Sequence, residues 1–184
     1  MRVIAGTAKS LRLVAPSGTA TRPTSDAVRE SLFSMLGDVI PEGPFLDVYA
    51  GSGAVGIEAL SRGAEHCVFI ERDRRGVEAI RRNLENTHLT ERATVMQGEA
   101  QRLVGRATAD HGPYAVIFLD PPYDDPQALS LAAGLLRPEA LAAGGLLVLQ
   151  HARRAKPADL PPPLRVREFG ETALSFYSAP DKEP

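Results

Sequence analysis

Asp47-Val48-Tyr49-Ala50-Gly51-Ser52-Gly53-Ala54-Val55-Gly56 is the stretch on which the reading of this 184-residue chain turns. It begins inside an apolar run, Phe45 to Ala50, and leads into a helical segment from about Ala54 to Arg62, closed by Gly63. Its glycines stand as G-x-G-x-x-G between a strand and a helix. Glycine permits the tight turn and lets the main chain approach a ligand, while a helix N-terminus offers unpaired N–H groups. Glu71 follows twenty residues after Gly51, at the end of the next apolar run, Cys67 to Ile70. A carboxylate there can accept both hydroxyls of a ribose. Strand, loop, helix and acid in this register predict a site for an adenosine-containing ligand. NAD and S-adenosylmethionine both carry adenosine and both use such a loop, so this motif alone leaves the two open.

Outward from the loop, strands and helices alternate. A helix is expected from about Arg74 to Asn86, a third strand at Ala93 to Met96 and a short helix after Gly98. A fourth strand at Tyr114 to Leu119, a helix at Leu129 to Leu136 and a fifth strand at Leu146 to Gln150 follow. Near-continuous apolar strands alternating with helices mean an α/β protein whose parallel sheet is covered on both faces. Two closing β-like runs, Leu164 to Phe169 and Ala173 to Tyr177 around Gly170, read as an antiparallel edge hairpin. Ahead of the loop, Val28, Leu32, Met35 and Leu36 recur at helical spacing, with Ser25 or Thr24 as N-cap and Gly37 as stop. Residues 2–14 hold two short β-like runs, Arg2 to Ala5 and Leu11 to Val14, expected as a hairpin arm. The expected division is an arm at 1–22, one domain at 23–178 and a frayed tail at 179–184.

Asp120-Pro121-Pro122-Tyr123 sits directly after the fourth strand, at the carboxyl edge where open α/β sheets bind ligands. Two prolines fix the backbone and remove two N–H donors. What remains is a stiff ledge of acceptors, the Asp120 carboxylate and the Pro121 carbonyl. An exocyclic aromatic amine is a poor nucleophile because its lone pair is delocalised into the ring. Two acceptors on its two N–H bonds draw it toward tetrahedral geometry and free the lone pair to attack a methyl donor. Tyr123 would stack on the base, worth about 1–3 kcal/mol. This ledge separates the two cofactors in favour of S-adenosylmethionine. Glu99, with Ala100 after the third strand, is where an acid could accept the adenine amino group; capping the next helix is the other use for Glu99.

Composition bounds the rest. The hydrophobic fraction of 43% and charged fraction of 24% are those of an ordinary globular domain. The chain shows no apolar run of about 18 residues and no secretory signal at its start. Its one cysteine, Cys67, lies in a strand-like run and fits a reducing cytoplasm, which is the expected location. The four histidines have no ligand spacing, so no metal is expected. Net charge is −2, yet residues 1–30 carry five basic against two acidic side chains, and residues 151–167 five against one. Basic ends could form a phosphate-binding rim or simply a solvated surface.

The segments Arg22-Pro23-Thr24-Ser25-Asp26-Ala27-Val28-Arg29-Glu30-Ser31-Leu32-Phe33, Asp47 through Ala64, and Phe118 through Tyr123 together resemble the RsmD-type bacterial methyltransferases that make N2-methylguanine in small-subunit (16S) ribosomal RNA. The similarity runs over nearly the whole chain. It implies a class I, Rossmann-like fold with a seven-stranded, mostly parallel sheet and an antiparallel C-terminal hairpin. It also implies S-adenosylmethionine as donor, S-adenosylhomocysteine as product, and 16S rRNA in the small subunit or its assembly intermediate as partner, with no metal or membrane. By this resemblance Gly51, Ser52, Gly53 and Gly56 hold the methionine end of the donor, Asp47 steadies the loop and Glu71 takes the ribose. Ala50, Arg72, Glu99 and Ala100 complete the donor site; Asp120, Pro121, Pro122 and Tyr123 hold the guanine. Arg2, Lys9, Arg12, Arg22 and Arg29 face RNA. The chain departs from the family pattern in a less basic arm, in Glu99 for a more typical aspartate, and in Gln150 where an acid usually precedes the histidine.

The ledge would also serve a DNA adenine or a protein glutamine, although 184 residues leave no room for a DNA target-recognition domain. A nicotinamide oxidoreductase explains the glycine loop but leaves Asp120 to Tyr123 without a role. A monomer is expected, since no exposed apolar stripe presents itself.

Overall fold

A computed structural model describes residues 1–16, 25–122, 125, 127–155, 157 and 159–179. Its centre is a seven-stranded sheet: β1 (Phe45–Val48), β2 (Cys67–Glu71), β3 (Ala93–Gln97), β4 (Tyr114–Leu119), β5 (Leu141–Ala152), β6 (Arg165–Phe169) and β7 (Thr172–Ser178). The spatial order is β3-β2-β1-β4-β5-β7-β6. The first five strands run parallel; β7 pairs antiparallel with both β5 and β6. The order reverses between β1 and β4, so the crevice beyond their carboxyl ends is the place where such sheets bind ligands.

The helices form in the expected places for local reasons. In α1 (Asp26–Leu36), the Ser25 hydroxyl accepts from the Val28 N–H and Gly37 ends the helix at φ 49°. Val28, Leu32, Phe33 and Leu36 form its buried stripe. α2 (Ala54–Ser61) is buried on every side, and α3 (Arg74–Thr87) is capped by Asp73, which accepts from the Arg75 N–H. α4 (Ala100–His111) is a full three turns rather than a short helix, and α5 is Ala128–Leu135. One face of the sheet packs Phe45, Phe118, Val148 and Leu174 against α1, α2 and α3; the other packs Leu46, Ile117 and Leu149 against α4 and α5.

Two elements differ from expectation. β5 starts five residues early, because Gly144 and Gly145 carry no side chain to mark a strand. A register shift against β4 at Tyr114/Val116 accommodates that start. The N-terminal hairpin is one antiparallel bridge, Arg2↔Arg12, and not two strands. Val3, Ala8 and Leu13 are buried in the same core as α1 and α2. Its main chain is bonded partly within the arm, as in Val3 N–H to Leu11 O and Leu13 N–H to Met1 O, and partly to α2. The N–H groups of Ile4 and Ala5 donate to the two oxygens of Glu58 at 2.7 and 2.9 Å, and Ala8 N–H donates to the Ser61 hydroxyl.

Among the described residues, no helix is long and apolar enough to cross a membrane, and no group of three or more potential ligands could hold a metal. Residues 180–184, in the expected tail, and Arg22 and Tyr123 lie outside the described residues.

Candidate active site

The carboxyl ends of β1, β2 and β4 bring the two sequence motifs together. Asp47, third residue of β1, is only 2% exposed, and its carboxylate accepts from the Gly56 N–H at 2.9 Å. This bond ties the first turn of α2 back to the strand. Burial pushes the Asp47 carboxyl well above the ordinary 3.8; the Gly56 N–H pulls the other way, and the negative charges of Asp120 and Glu71 push it further up. Asp120 and Glu71 therefore lie close enough to Asp47 for their charges to act on it.

The glycine loop is organised from β2. Glu71 accepts from Gly51 N–H at 2.7 Å through one oxygen and from Asp73 N–H at 2.8 Å through the other. Each carboxylate oxygen has a second lone pair for a hydroxyl. Gly51 adopts φ +57°, and a Cβ on it would meet nothing within 4 Å: this is the open point of the loop. Ala50 N–H donates to Ile70 O and Ala50 O accepts from Gly53 N–H, closing the turn. Ser52 is half-buried beside it and Arg72 is exposed beyond Glu71. These residues fit an adenosine donor carrying a methionine end.

Gly56 does not face the ligand. Its N–H is already taken by Asp47, and a Cβ there would lie 2.3 Å from the Phe69 ring and 2.6 Å from Cys67 Sγ. Its role is to let α2 approach β2, which corrects the assignment to the methionine end. Glu99 occupies the N-cap position of α4 but makes no side-chain cap bond, and it is exposed. Ala100 is 4% exposed with its methyl in the core, which leaves only its main chain for a ligand.

Asp120 continues the line of β4: its N–H donates to Val48 O at 3.3 Å, beside the glycine loop. Pro121 is buried and Pro122 exposed. Pro122 O accepts from Asp125 N–H, so the ledge ends in a turn. Sequence reasoning missed what fastens that turn. Tyr49, a non-glycine residue at φ +65°, donates its hydroxyl to Asp125 at 2.9 Å, and Gln101 Nε2 donates to both, at 3.3 and 3.4 Å. Burial and the Asp125 carboxylate push the Tyr49 hydroxyl far above its ordinary value, so it stays a donor. A side chain held in the left-handed region is a strained position that surrounding contacts must maintain.

The basic residues divide. Arg2 and Arg12 are exposed and adjacent across the bridge. Lys9 is exposed too, but it sits in the turn packed on Ser61, at the far end of α2, about 12 Å of helix from the glycine loop. Arg29 is 0% exposed: its Nη2 donates to Arg2 O and to Asp26 at 2.7 and 2.8 Å. A buried guanidinium that anchors the arm cannot meet RNA, which corrects its assignment as an RNA contact. Also missed was Asn83, fully buried in α3. It clasps Val14 by accepting from its N–H and donating to its O, and it donates to Ser52 O in the glycine loop. A polar residue on the apolar stripe of α3, between Ile80 and Leu84, was the available signal.

A topological switch point with a glycine loop, a carboxylate bonded to that loop from the end of β2 and an Asp-Pro-Pro segment after β4 fits a class I S-adenosylmethionine-dependent methyltransferase. The family model described as Conserved hypothetical protein 95 matches residues 1–178, and the chain belongs to that family, the RsmD-type methyltransferases. It is 38% identical over 180 residues to the putative rRNA methyltransferase YlbH of Bacillus subtilis, covering 96% of this chain and 98% of that one. It is 39% identical over 127 residues to ribosomal RNA small subunit methyltransferase D of Escherichia coli, 67% of this chain and 60% of that protein. Among solved structures, the putative methyltransferase yhhF of Escherichia coli superposes with TM-score 0.80 at 31% identity, covering 97% of both chains. An RNA methyltransferase from Salinibacter ruber in complex with S-adenosyl-L-homocysteine shares the fold, with TM-score 0.61 at 21% identity over 89% of this chain and 97% of that one.

Proposed function

We propose that this chain transfers a methyl group from S-adenosylmethionine to the exocyclic N2 of a guanine in small-subunit (16S) ribosomal RNA. The observation that carries the reading is Asp120, held by the β1–β4 ladder beside the glycine loop and followed by two prolines. The names of the Bacillus subtilis and Escherichia coli relatives support rRNA as the substrate class. When bound, S-adenosylmethionine supplies an electrophilic methyl group and departs as a neutral thioether.

The residues of the chain then have separate tasks. Asp47 and Glu71 hold the loop whose open point is Gly51; Glu71 accepts the ribose hydroxyls and Glu99 the adenine amino group. The Asp120 carboxylate and the Pro121 carbonyl accept the two N–H bonds of the guanine amine and direct its lone pair at the methyl carbon. After the N–C bond forms, one N–H proton leaves toward Asp120 and solvent. Tyr123 stacks on a base that has left its own stack, an extrusion costing a few kcal/mol and least in a single-stranded loop. Residues 1–22 act as the RNA-facing arm of a transferase domain spanning 23–178, with Arg2 and Arg12 on phosphates.

The test is a nucleoside digest of 16S rRNA from cells with and without the gene, read by mass spectrometry. One N2-methylguanine should disappear on deletion and return with the wild-type gene. An unchanged digest would sink the reading.

A further inference from the structure

Gln150 is the penultimate-but-one residue of β5, 7% exposed, and its buried Oε1 has no hydrogen-bond partner among the described residues. Leaving a buried carboxamide oxygen unpaired is costly, and folded proteins satisfy the large majority of such groups. A polar group kept in that condition invites a ligand donor.

Its place in the sheet says which one. Leu119, the last residue of β4, stands opposite Leu149 of β5, and Asp120 and Gln150 are the next residues along the two chains. Side chains alternate across a strand. Phe118 and Val148 point into the core beneath α1 and α2, as does Leu174, the β7 partner of Gln150. Continued one residue past β4, that alternation puts Asp120 on the face from which Gln150 projects. The Asp120 side also carries Asp47, two positions on from Phe45.

We infer that Gln150 reads the target base: its Oε1 accepts the N1–H of guanine while Asp120 accepts the neighbouring amino N–H. Guanine alone among the standard bases presents a ring N–H next to an amino group. Adenine offers a ring acceptor at that position, and against Oε1 it would leave two acceptors facing each other. Gln150 is then a specificity-determining residue, distinct from the ledge that orients the nucleophile. This inference rests on the guanine reading above.

The test places guanine or 2-aminopurine at the mapped position of reconstituted small-subunit rRNA. The analogue keeps the 2-amino acceptor of methyl but has an unprotonated N1. The readout is the ratio of kcat/KM for guanine over 2-aminopurine, compared among wild type, Gln150→Leu and Gln150→Glu. Gln150→Leu should shrink the wild-type ratio about tenfold, by removing the N1–H acceptor, a loss of about 1.4 kcal/mol. Gln150→Glu should widen it, because the carboxylate cannot turn a donor toward N1 as the carboxamide can. General damage to the fold lowers both rates together and leaves the ratio where it was. If N2-methylguanine is formed but the ratio is unmoved in both variants, the Gln150 assignment is overturned and the guanine reading stands. If the product in rRNA is not N2-methylguanine, both fall.

Discussion

The two halves of the crevice are built on opposite plans. On the β1–β2 side, the polar groups that shape the loop are satisfied by the protein itself: Asp47 by Gly56, and Glu71 by Gly51 and Asp73. On the β4–β5 side, Gln150, one residue past the last β4–β5 pair, keeps a buried oxygen without a partner among the described residues. The first half is preorganised, so a donor meets a loop whose shape costs nothing further to fix. In the second half, the Gln150 oxygen is the group that the inference above gives to the target base. A site of this kind spends little of its binding energy on the cofactor loop and reserves polar contacts for the group that reacts.

The sharpest way to break this comparison is Asp120→Ala. Turnover should fall about 10²–10³-fold, the range for removing one aligned polar group from a transition state. Affinity for S-adenosylhomocysteine, read by calorimetry, should stay close to wild type. Undiminished single-turnover methylation would remove the ledge from the mechanism. Glu71→Gln should do the reverse. Its amide NH2 would point a donor at the N–H of Gly51 or Asp73, loosening the loop and weakening donor affinity about tenfold, ~1.4 kcal/mol. Equal affinities would mean that the loop does not depend on Glu71.

The smallest expected effect is on stability. The folded chain binds a proton at Asp47 more tightly than the unfolded chain does, since burial raises this carboxyl well above 3.8. Its stabilising contribution is therefore full below that value and is lost as pH rises through the raised folded value. In Asp47→Asn the amide oxygen still accepts from Gly56 and nothing titrates. The stability difference should move in the variant's favour as pH rises above about 4. Urea unfolding at several pH values reads it, and a difference flat with pH would contradict the direction given for Asp47.

Most of the sheet was legible because its strands are buried on both faces and read as unbroken apolar runs. Tyr114 to Leu119 was delimited to the residue. The glycine loop was legible because turn, strand and acid must fall in a fixed register. Gly56 was misread because spacing alone does not say which side of a glycine the helix presents; Phe69 and Cys67 decide that, thirteen and eleven residues away. Arg29 was misread because charge was counted without the helical stripe. It stands three residues before Leu32 and four before Phe33, on the buried side of α1. Its carbonyl and carboxylate partners come from the arm and from Asp26. Gln150 was visible only as a departure from a family pattern, since its significance depends on which residue the neighbouring strand sets beside it.

The clasp of Asn83 on Val14, with the hold of Glu58 on Ile4 and Ala5, has a consequence for the architecture. The first sixteen residues cannot be treated as a detachable accessory to the catalytic body. Cutting them away would strip Glu58, a carboxylate with no exposure, of two main-chain donors and open the hydrophobic layer over α2. The same cut would release Ser52's neighbour Asn83 from two of its three bonds. Whatever lies against the arm is thus one side chain from the donor loop, and a graft of this segment onto another transferase would have to bring the faces of α2 and α3 with it.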